Sequence, residues 1–296
     1  MRLLIIFLLS ISSAMANTLT VVIPFAVGTV VDQLCRKVFE QYDYTYNTKS
    51  IMLNVPGGDQ MIAHRQFIEM NTSRLLCAGN GVGGFNQYFH PEVSPGIGTL
   101  KPVVNLLSFT HFIFTPSKNQ SLDSIISEAK RTNKKILLGG PSTNAIKIMG
   151  YVLHHNNVSY TPVVYKKPGD AIPSLRDGSL DLYIDGGTLK PLLVQTEGVL
   201  EISHVGFDNK SASINLAKKH PILLNLVSNT VIYAPATLPN KDILEFNKRL
   251  NSVLNNKDMR IFYEERVPYH TPNNGTVQDS IQFMDNTQRI IKNVYN

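Results

Sequence analysis

The sequence predicts an α/β protein of two lobes, each a mainly parallel sheet flanked by helices, with the chain crossing twice between them. Three observations carry that prediction. Short β-branched runs alternate with segments of helical period through the first third of the chain, which is the pattern of a parallel α/β sheet. The alternation restarts after Thr115-Pro116. A second proline-containing break, Ala234-Pro235, precedes a helical tail, so the second unit is inserted into the first.

The elements follow in order. Residues 19–23 (LTVVI) read as a strand stopped by Pro24, and a loop through Gly28 leads into a helix over 31–41 with Leu34, Cys35 and Val38 on one face. Residues 50–54 form a second strand, closed by Val55-Pro56-Gly57-Gly58, and 62–70 have helical period. A third strand over 74–78 runs into Gly79-Asn80-Gly81, and 103–114 reads as one long apolar strand. Ser121 caps a helix that carries Leu122, Ile125, Ile126 and Ala129 on one side. Strands over 135–138, 161–165 and 180–184 then alternate with helices over 145–155 and 170–176. A strand over 230–233 precedes a helix over 242–254, and Thr276 with Asp279 forms a capping box ahead of Ile281, Met284 and Ile291. The boundaries this implies are 17–114 with 235–296 in the first lobe and 115–234 in the second. Two lobes joined by a double crossing can hinge around a ligand.

Composition bounds the function classes. The chain has 296 residues, 43% hydrophobic and 17% charged, enough for one large domain or two ordinary ones with real cores. Arg2, the apolar run 3–11 (LLIIFLLSI) and Ala14-Met15-Ala16 have the order of a secretory signal peptide. Cleavage after Ala16 is expected, with Asn17 opening an exported chain. The net charge is +6, but the basic residues are scattered, and with export this excludes nucleic acid as the partner. Two cysteines, Cys35 and Cys77, cannot make a disulfide scaffold. Their apolar flanks favour buried thiols acting as small hydrophobes, with a disulfide left open.

Several catalytic patterns fail. Gly79-Asn80-Gly81-Val82-Gly83-Gly84 matches G-x-G-x-x-G, but about 20 residues on, where a dinucleotide site needs a carboxylate, stand Pro102-Val103-Val104. His154 and His155 are adjacent and point to different helix faces, so they read as exposed histidines. Asp177, Asp181 and Asp185 lack the alternate spacing of a calcium loop. There is no G-x-S-x-G elbow. Neither an enzyme nor a cofactor is expected, and no metal site.

Glycine and small polar residues gather instead at strand ends: 24–32, 54–60, 139–144 and 165–170. In an α/β sheet such loops lie at the carboxyl edge, where ligands bind, and helix N-termini there attract anions. The ordered set of segments resembles the Bug family, the substrate-binding proteins of tripartite tricarboxylate transporters. The segments are 19–28 (LTVVIPFAVG) with Asp32, Asn54-Val55-Pro56-Gly57, Val164-Tyr165-Lys166, 174–185 (SLRDGSLDLYID), and Tyr233-Ala234-Pro235 through Pro239.

The resemblance implies a type II-like two-lobed periplasmic binding protein. Such a protein closes over a small carboxylate solute (a di- or tricarboxylate, aromatic acid or amino acid) and delivers it to membrane permease subunits. A periplasmic module presenting the same ligand to a sensor is the alternative, and an exported enzyme a more distant one. The chain departs from the family pattern at Thr29, at Gly58-Asp59-Gln60 and at Ser142-Thr143-Asn144. The implied ligand-binding residues are Phe25, Gly28, Thr29, Asp32, Asn54, Gly57, Ser142, Thr143, Asn144, Tyr165 and Asp185. Lys166 is a surface lysine or the partner of a second carboxylate. The first three loops contain no Lys or Arg, so a carboxylate held there meets backbone N–H groups, hydroxyls and amides. Hydrogen bonds to a charged group contribute about 1.5–3 kcal/mol each, and micromolar binding needs roughly 8 kcal/mol, so a few neutral donors suffice.

Overall fold

The computed structural model describes residues 18–116, 121–165, 167–207 and 211–295; the expected signal segment, Asn17 and Lys166 lie outside them. Strand β1 (Thr18–Ile23) is followed by α1 (Val30–Tyr46), β2 (Lys49–Asn54), α2 (Met61–Glu69) and β3 (Arg74–Gly79). A π-helical turn at Gly81–Phe85 and the short α3 (Asn86–Phe89) lead to β4 (Leu100–Ser108). The inserted unit holds β5 (His111–Pro116), α4 (Leu122–Thr132), β6 (Ile136–Gly140), α5 (Thr143–His155), β7 (Tyr160–Val164) and α6 (Ala171–Asp177). It continues with β8 (Leu182–Asp185), α7 (Lys190–Leu193), β9 (Val199–Val205) and β10 (Ile214–Asn215). The chain returns through β11 (Asn229–Pro235) and ends with α8 (Asn240–Leu254), α9 (Lys257–Arg266), β12 (Thr271–Pro272) and α10 (Val277–Tyr295).

Two six-stranded sheets result, ordered β12-β4-β11-β3-β1-β2 and β10-β9-β5-β8-β6-β7. Each is mixed, which corrects the expectation of mainly parallel sheets. β2-β1-β3 and β7-β6-β8 are parallel, as are β9 and β10, whereas β11 and β5 run antiparallel to both of their neighbours. The cause is the double crossing. β5 and β11 enter from the other lobe beside the carboxyl ends of β8 and β3, with Phe112 opposite Asp185 and Thr230 opposite Gly79, and run away from that edge.

Sheet membership also moves both expected lobe boundaries. The apolar run 103–114 is two strands in two sheets, parted at Phe109-Thr110, and β11 belongs to the first sheet, not the second. The crossings therefore fall at 109–110 and at 228, not at 115 and 234. The run reads as one strand because both halves are buried on both faces, and the polar residues at the break, Ser108, Thr110 and His111, are buried with them. Hydrogen bonds hold the break: the Phe109 N–H donates to the Ser228 carbonyl (2.8 Å) and the Thr110 N–H to His270 Nδ1 (3.2 Å). His111 Nε2 lies 3.1 Å from Ser228 Oγ, tying the two crossings together.

The cores follow the period of the elements. Val21 and Ile23 of β1 face one side of the first sheet with Leu34, Val38 and Phe39 of α1, and Val22 faces the other with Ala63 and Phe67 of α2. Each such side chain, fully buried, contributes roughly 1.5–3 kcal/mol. In the second lobe, Leu138 and Ile184 pack under α4 and α5, while Phe112, Phe114 and Tyr183 pack on the α6 side. The four apolar residues expected on one face of α4 are all buried. The expected caps form: Ser121 accepts from the Ser124 N–H, and Thr276 and Asp279 bond reciprocally. Ile290 and Ile291 of α10 join the core cluster of the second lobe, so the end of the first lobe's last helix spans the junction.

Cys35 and Cys77 form a disulfide, which corrects the reading of free thiols. Helix α1 lies over β3 with the two Cα atoms 6.3 Å apart, within the reach of a bridge.

Candidate functional site

The carboxyl ends of β1, β2 and β3 carry the loops 24–29, 55–60 and 79–85, and those of β6, β7 and β8 carry 141–142, 165–170 and 186–189. The first loop is braced from within. Thr29 caps α1, accepting from the Asp32 N–H (3.3 Å) and donating to the Ala26 carbonyl (2.9 Å). Gly28 adopts φ 84°, open to glycine, and its N–H donates to Asp32 Oδ2 (2.8 Å). Asp32 Oδ1 accepts from Arg36 Nε (2.9 Å) and Asn54 Nδ2 (2.8 Å), and Arg36 Nη2 donates to Asn54 Oδ1 (2.6 Å). Asn54 Nδ2 also donates to the Phe25 carbonyl (2.9 Å), while the half-buried Phe25 ring packs on the lobe core. Asp32 is buried, which raises its pKa, but the bonds from Arg36, Asn54 and Gly28 and the Arg36 charge outweigh burial and hold it below the ordinary value. Asp32 and Asn54 thus shape the loop, and Val27 at its tip is 72% exposed.

The second loop is unusual in backbone. Gly57, Gly58, Asp59 and Gln60 all have positive φ: 115°, 55°, 46° and 75°. A non-glycine residue there costs on the order of 1–3 kcal/mol and persists only when its surroundings hold it. Three bonds do so: the Gln60 N–H to the Gly57 carbonyl (3.0 Å), Asn86 Nδ2 to the Asp59 carbonyl (2.6 Å) and the Gly79 N–H to Gln60 Oε1 (2.7 Å).

From the second lobe, Ser142 caps α5 by accepting from the Ala145 N–H (3.2 Å), placing Thr143 and Asn144 in its first turn. The two lobes meet here. A Cβ at Gly81 would lie 3.0 Å from Asn144 Nδ2 and 3.0 Å from Gln60 Nε2. Only glycine at position 81 lets amides from both lobes close on that backbone. Tyr165 donates its N–H to the Gly140 carbonyl (3.0 Å) and sets its ring edge-on to Tyr183, with centroids 6.0 Å apart.

Asp185 is buried at the end of β8 and turns to its own chain, accepting the Leu189 N–H at 3.0 Å and those of Gly187 and Lys190. Burial pushes its pKa up to about 6, against those three bonds. The folded state therefore holds a proton that the unfolded chain releases above about pH 3.8. The stability contributed at this site is full below that pH and declines as pH rises to about 6, by on the order of 3 kcal/mol. Asp185→Asn retains an acceptor and is expected to remove that decline. Denaturant titrations of both proteins from pH 4 to 7 check it, and identical pH profiles would refute the assignment.

Sequence reasoning did not single out Gln60, Gly81, Asn86 or Arg36 as site residues. The one available signal was the departure at Gly58-Asp59-Gln60. Two concavities of about 370 and 390 Å³ open elsewhere, beside Arg260 and His270 and beside Lys190 and Glu201. Neither touches these loops. The site is placed at the strand ends because the two lobes bring polar groups together there.

Solved structures share this architecture over nearly the whole chain. The periplasmic binding protein BugD superposes with a TM-score of 0.72 at 14% identity, covering 94% of this chain and 97% of its own. This chain has the fold of a periplasmic binding protein. Rhodopseudomonas palustris Rpa4515 with adipate gives 0.77 at 16% identity, covering 94% and 97%. MatC from the same organism with bound malate gives 0.71 at 14%, covering 93% and 98%. No protein-family model matches the chain, and no curated protein matches it. No helix of the described residues is long and apolar enough to cross a membrane, and no group of three metal-ligating side chains occurs among them.

Proposed function

We propose that this chain is an exported solute-binding protein that captures a small carboxylate-bearing ligand in the interlobe cleft. It hands that ligand to membrane permease subunits of the tripartite tricarboxylate type. The observation that carries the reading is the meeting of neutral, donor-rich segments from both lobes at Gly81 and Asn144, with no Lys or Arg in the loops 24–32, 54–60 and 139–144. The likeness to structures holding adipate and malate supports a carboxylate as the ligand, and the signal-like residues 1–16 support a periplasmic location. Capture through backbone N–H groups, the α5 N-terminus and amides is binding chemistry, without turnover.

A thermal-shift screen of dicarboxylates, tricarboxylates, aromatic acids and amino acids tests the proposal. A true ligand at 100 times its Kd stabilises the folded state by about 2.7 kcal/mol through mass action. Thr143→Ala combined with Asn144→Ala is expected to weaken that ligand several-fold or more, and Lys166→Ala much less. Loss of binding in Lys166→Ala with the double variant unaffected would overturn capture by neutral donors.

A further inference from the structure

The far end of α5 carries a group that the cleft does not use. His155 is the last residue of this 13-residue helix, about 20 Å from the Ser142 cap at a rise of about 1.5 Å per residue. Its ring lies 5.3 Å from that of His220, centroid to centroid, at an interplanar angle of 79°. Tyr151, one turn back on α5, stacks on His155 at 5.9 Å and meets His220 edge-on at 6.2 Å. Both histidines are anchored beside the second lobe's core: Val152 and Leu153 precede His155, Leu223 follows His220, and all three are buried there. The His220 N–H donates to the Leu216 carbonyl at 2.8 Å, and the His220 carbonyl accepts the Leu223 N–H at 3.0 Å.

Histidines elsewhere spend a ring nitrogen on the fold. His64 pairs with Thr99, His111 with Ser228 and His204 with Ser213, and His270 accepts the Thr110 N–H. Among the described residues neither His155 nor His220 makes a hydrogen bond through its ring. Burial, then His155 and Lys219, hold the His220 imidazole below its ordinary pKa, so at pH 7 it is neutral and has a lone pair to give. Two imidazoles on one tetrahedral metal, with bonds of about 2.0–2.1 Å, have ring centres roughly 5 Å apart. That is the separation of His155 and His220. The carbonyl end of α5, the negative pole of the helix, favours a cation at the same place. We propose that His155 and His220 chelate a divalent transition metal of the Zn²⁺ or Ni²⁺ type on the second lobe, with water in its remaining positions. Imidazole suits these ions, whereas Mg²⁺ and Mn²⁺ are suited by carboxylate and carbonyl oxygen, and among the described residues no carboxylate or thiol joins the pair. His154 is adjacent in sequence but points to another face of the helix. The proposal is independent of the carboxylate reading of the cleft.

Calorimetric titration of the untagged protein at pH 7, in a buffer that does not chelate, tests this with Zn²⁺, Ni²⁺, Mg²⁺ and Mn²⁺. Zn²⁺ and Ni²⁺ are expected to bind at one ion per chain, and Mg²⁺ and Mn²⁺ at least about tenfold more weakly. His155→Ala and His220→Ala should each weaken Zn²⁺ and Ni²⁺ by about tenfold or more, because one imidazole alone cannot chelate, whereas His154→Ala should change either ion by less than about threefold. Thermal melts give a second readout: Ni²⁺ should raise the Tm of the wild type and of His154→Ala, and leave that of the other two variants unchanged. His155 is exposed, so His155→Ala keeps the fold, and a folding defect in His220→Ala does not decide the matter. Absence of Zn²⁺ and Ni²⁺ binding to the wild type would overturn the site. So would binding that survives in His155→Ala, or Mg²⁺ bound as tightly as Zn²⁺.

Discussion

Asp32→Ala is expected to lower stability by about 3 kcal/mol, among the largest effects of any single substitution in the first lobe. The carboxylate is buried and accepts from the Gly28 N–H, Arg36 and Asn54. Its removal leaves the Gly28 N–H and the Asn54 amide short of an acceptor and Arg36 without its ion-pair partner. Orphaning a buried polar group costs about 1–3 kcal/mol, and breaking a buried pair about 3–5. Arg36 is 42% exposed, so water recovers part of its loss and the lower end applies. For a chain of this size about 3 kcal/mol corresponds to a fall in Tm of roughly 6–12 °C. The pH dependence has a definite sign. Asp32 is held below its ordinary pKa of 3.8 in the folded state, so its contribution is present above that value and is lost as pH falls through the folded pKa. The gap between wild type and variant should be full at pH 6 and shrink below about pH 4. Thermal melts at pH 3, 4 and 6 check this, and a gap that widens in acid would refute the role assigned to Asp32.

Loss of the Cys35–Cys77 bridge is expected to cost about 4 kcal/mol. The bridge closes a loop with a sequence separation of 42, and the chain-entropy relation gives about that value for such a loop. Both cysteines are fully buried between α1 and β3, and α1 carries Asp32 and Arg36. Reduction therefore weakens the element that braces the first cleft loop. Urea unfolding with and without dithiothreitol, with reduction confirmed by mass, measures the effect. Unchanged midpoints after complete reduction would show that the bridge does not constrain the unfolded chain as argued.

Much of the architecture is written in local sequence. The alternation of β-branched runs and helical stripes, the proline breaks, and the caps at Ser121 and Thr276 are short-range features, and each specifies its element through hydrogen bonds or packing within a few residues. Strand β9 and helix α9 escaped the sequence reading. In β9, Leu200 and Glu201 alternate poorly with the buried residues Ile202–Val205. In α9, polar residues such as Lys257, Asp258, Arg260, Glu264 and Glu265 leave a weak apolar stripe.

The sequence by itself determined that this is a two-unit α/β chain with glycine- and hydroxyl-rich strand ends, three of them free of Lys and Arg. Only the tertiary structure decided that residues 103–114 divide between two sheets, that Cys35 meets Cys77, and that Asp32 and Asn54 face their own loop. It also decided that Gln60 and Asn144 converge over Gly81. The reason is physical. Periodicity and capping record forces acting over a few residues, whereas these four outcomes depend on which distant surfaces pack together, and a buried run reads the same in one sheet as across two.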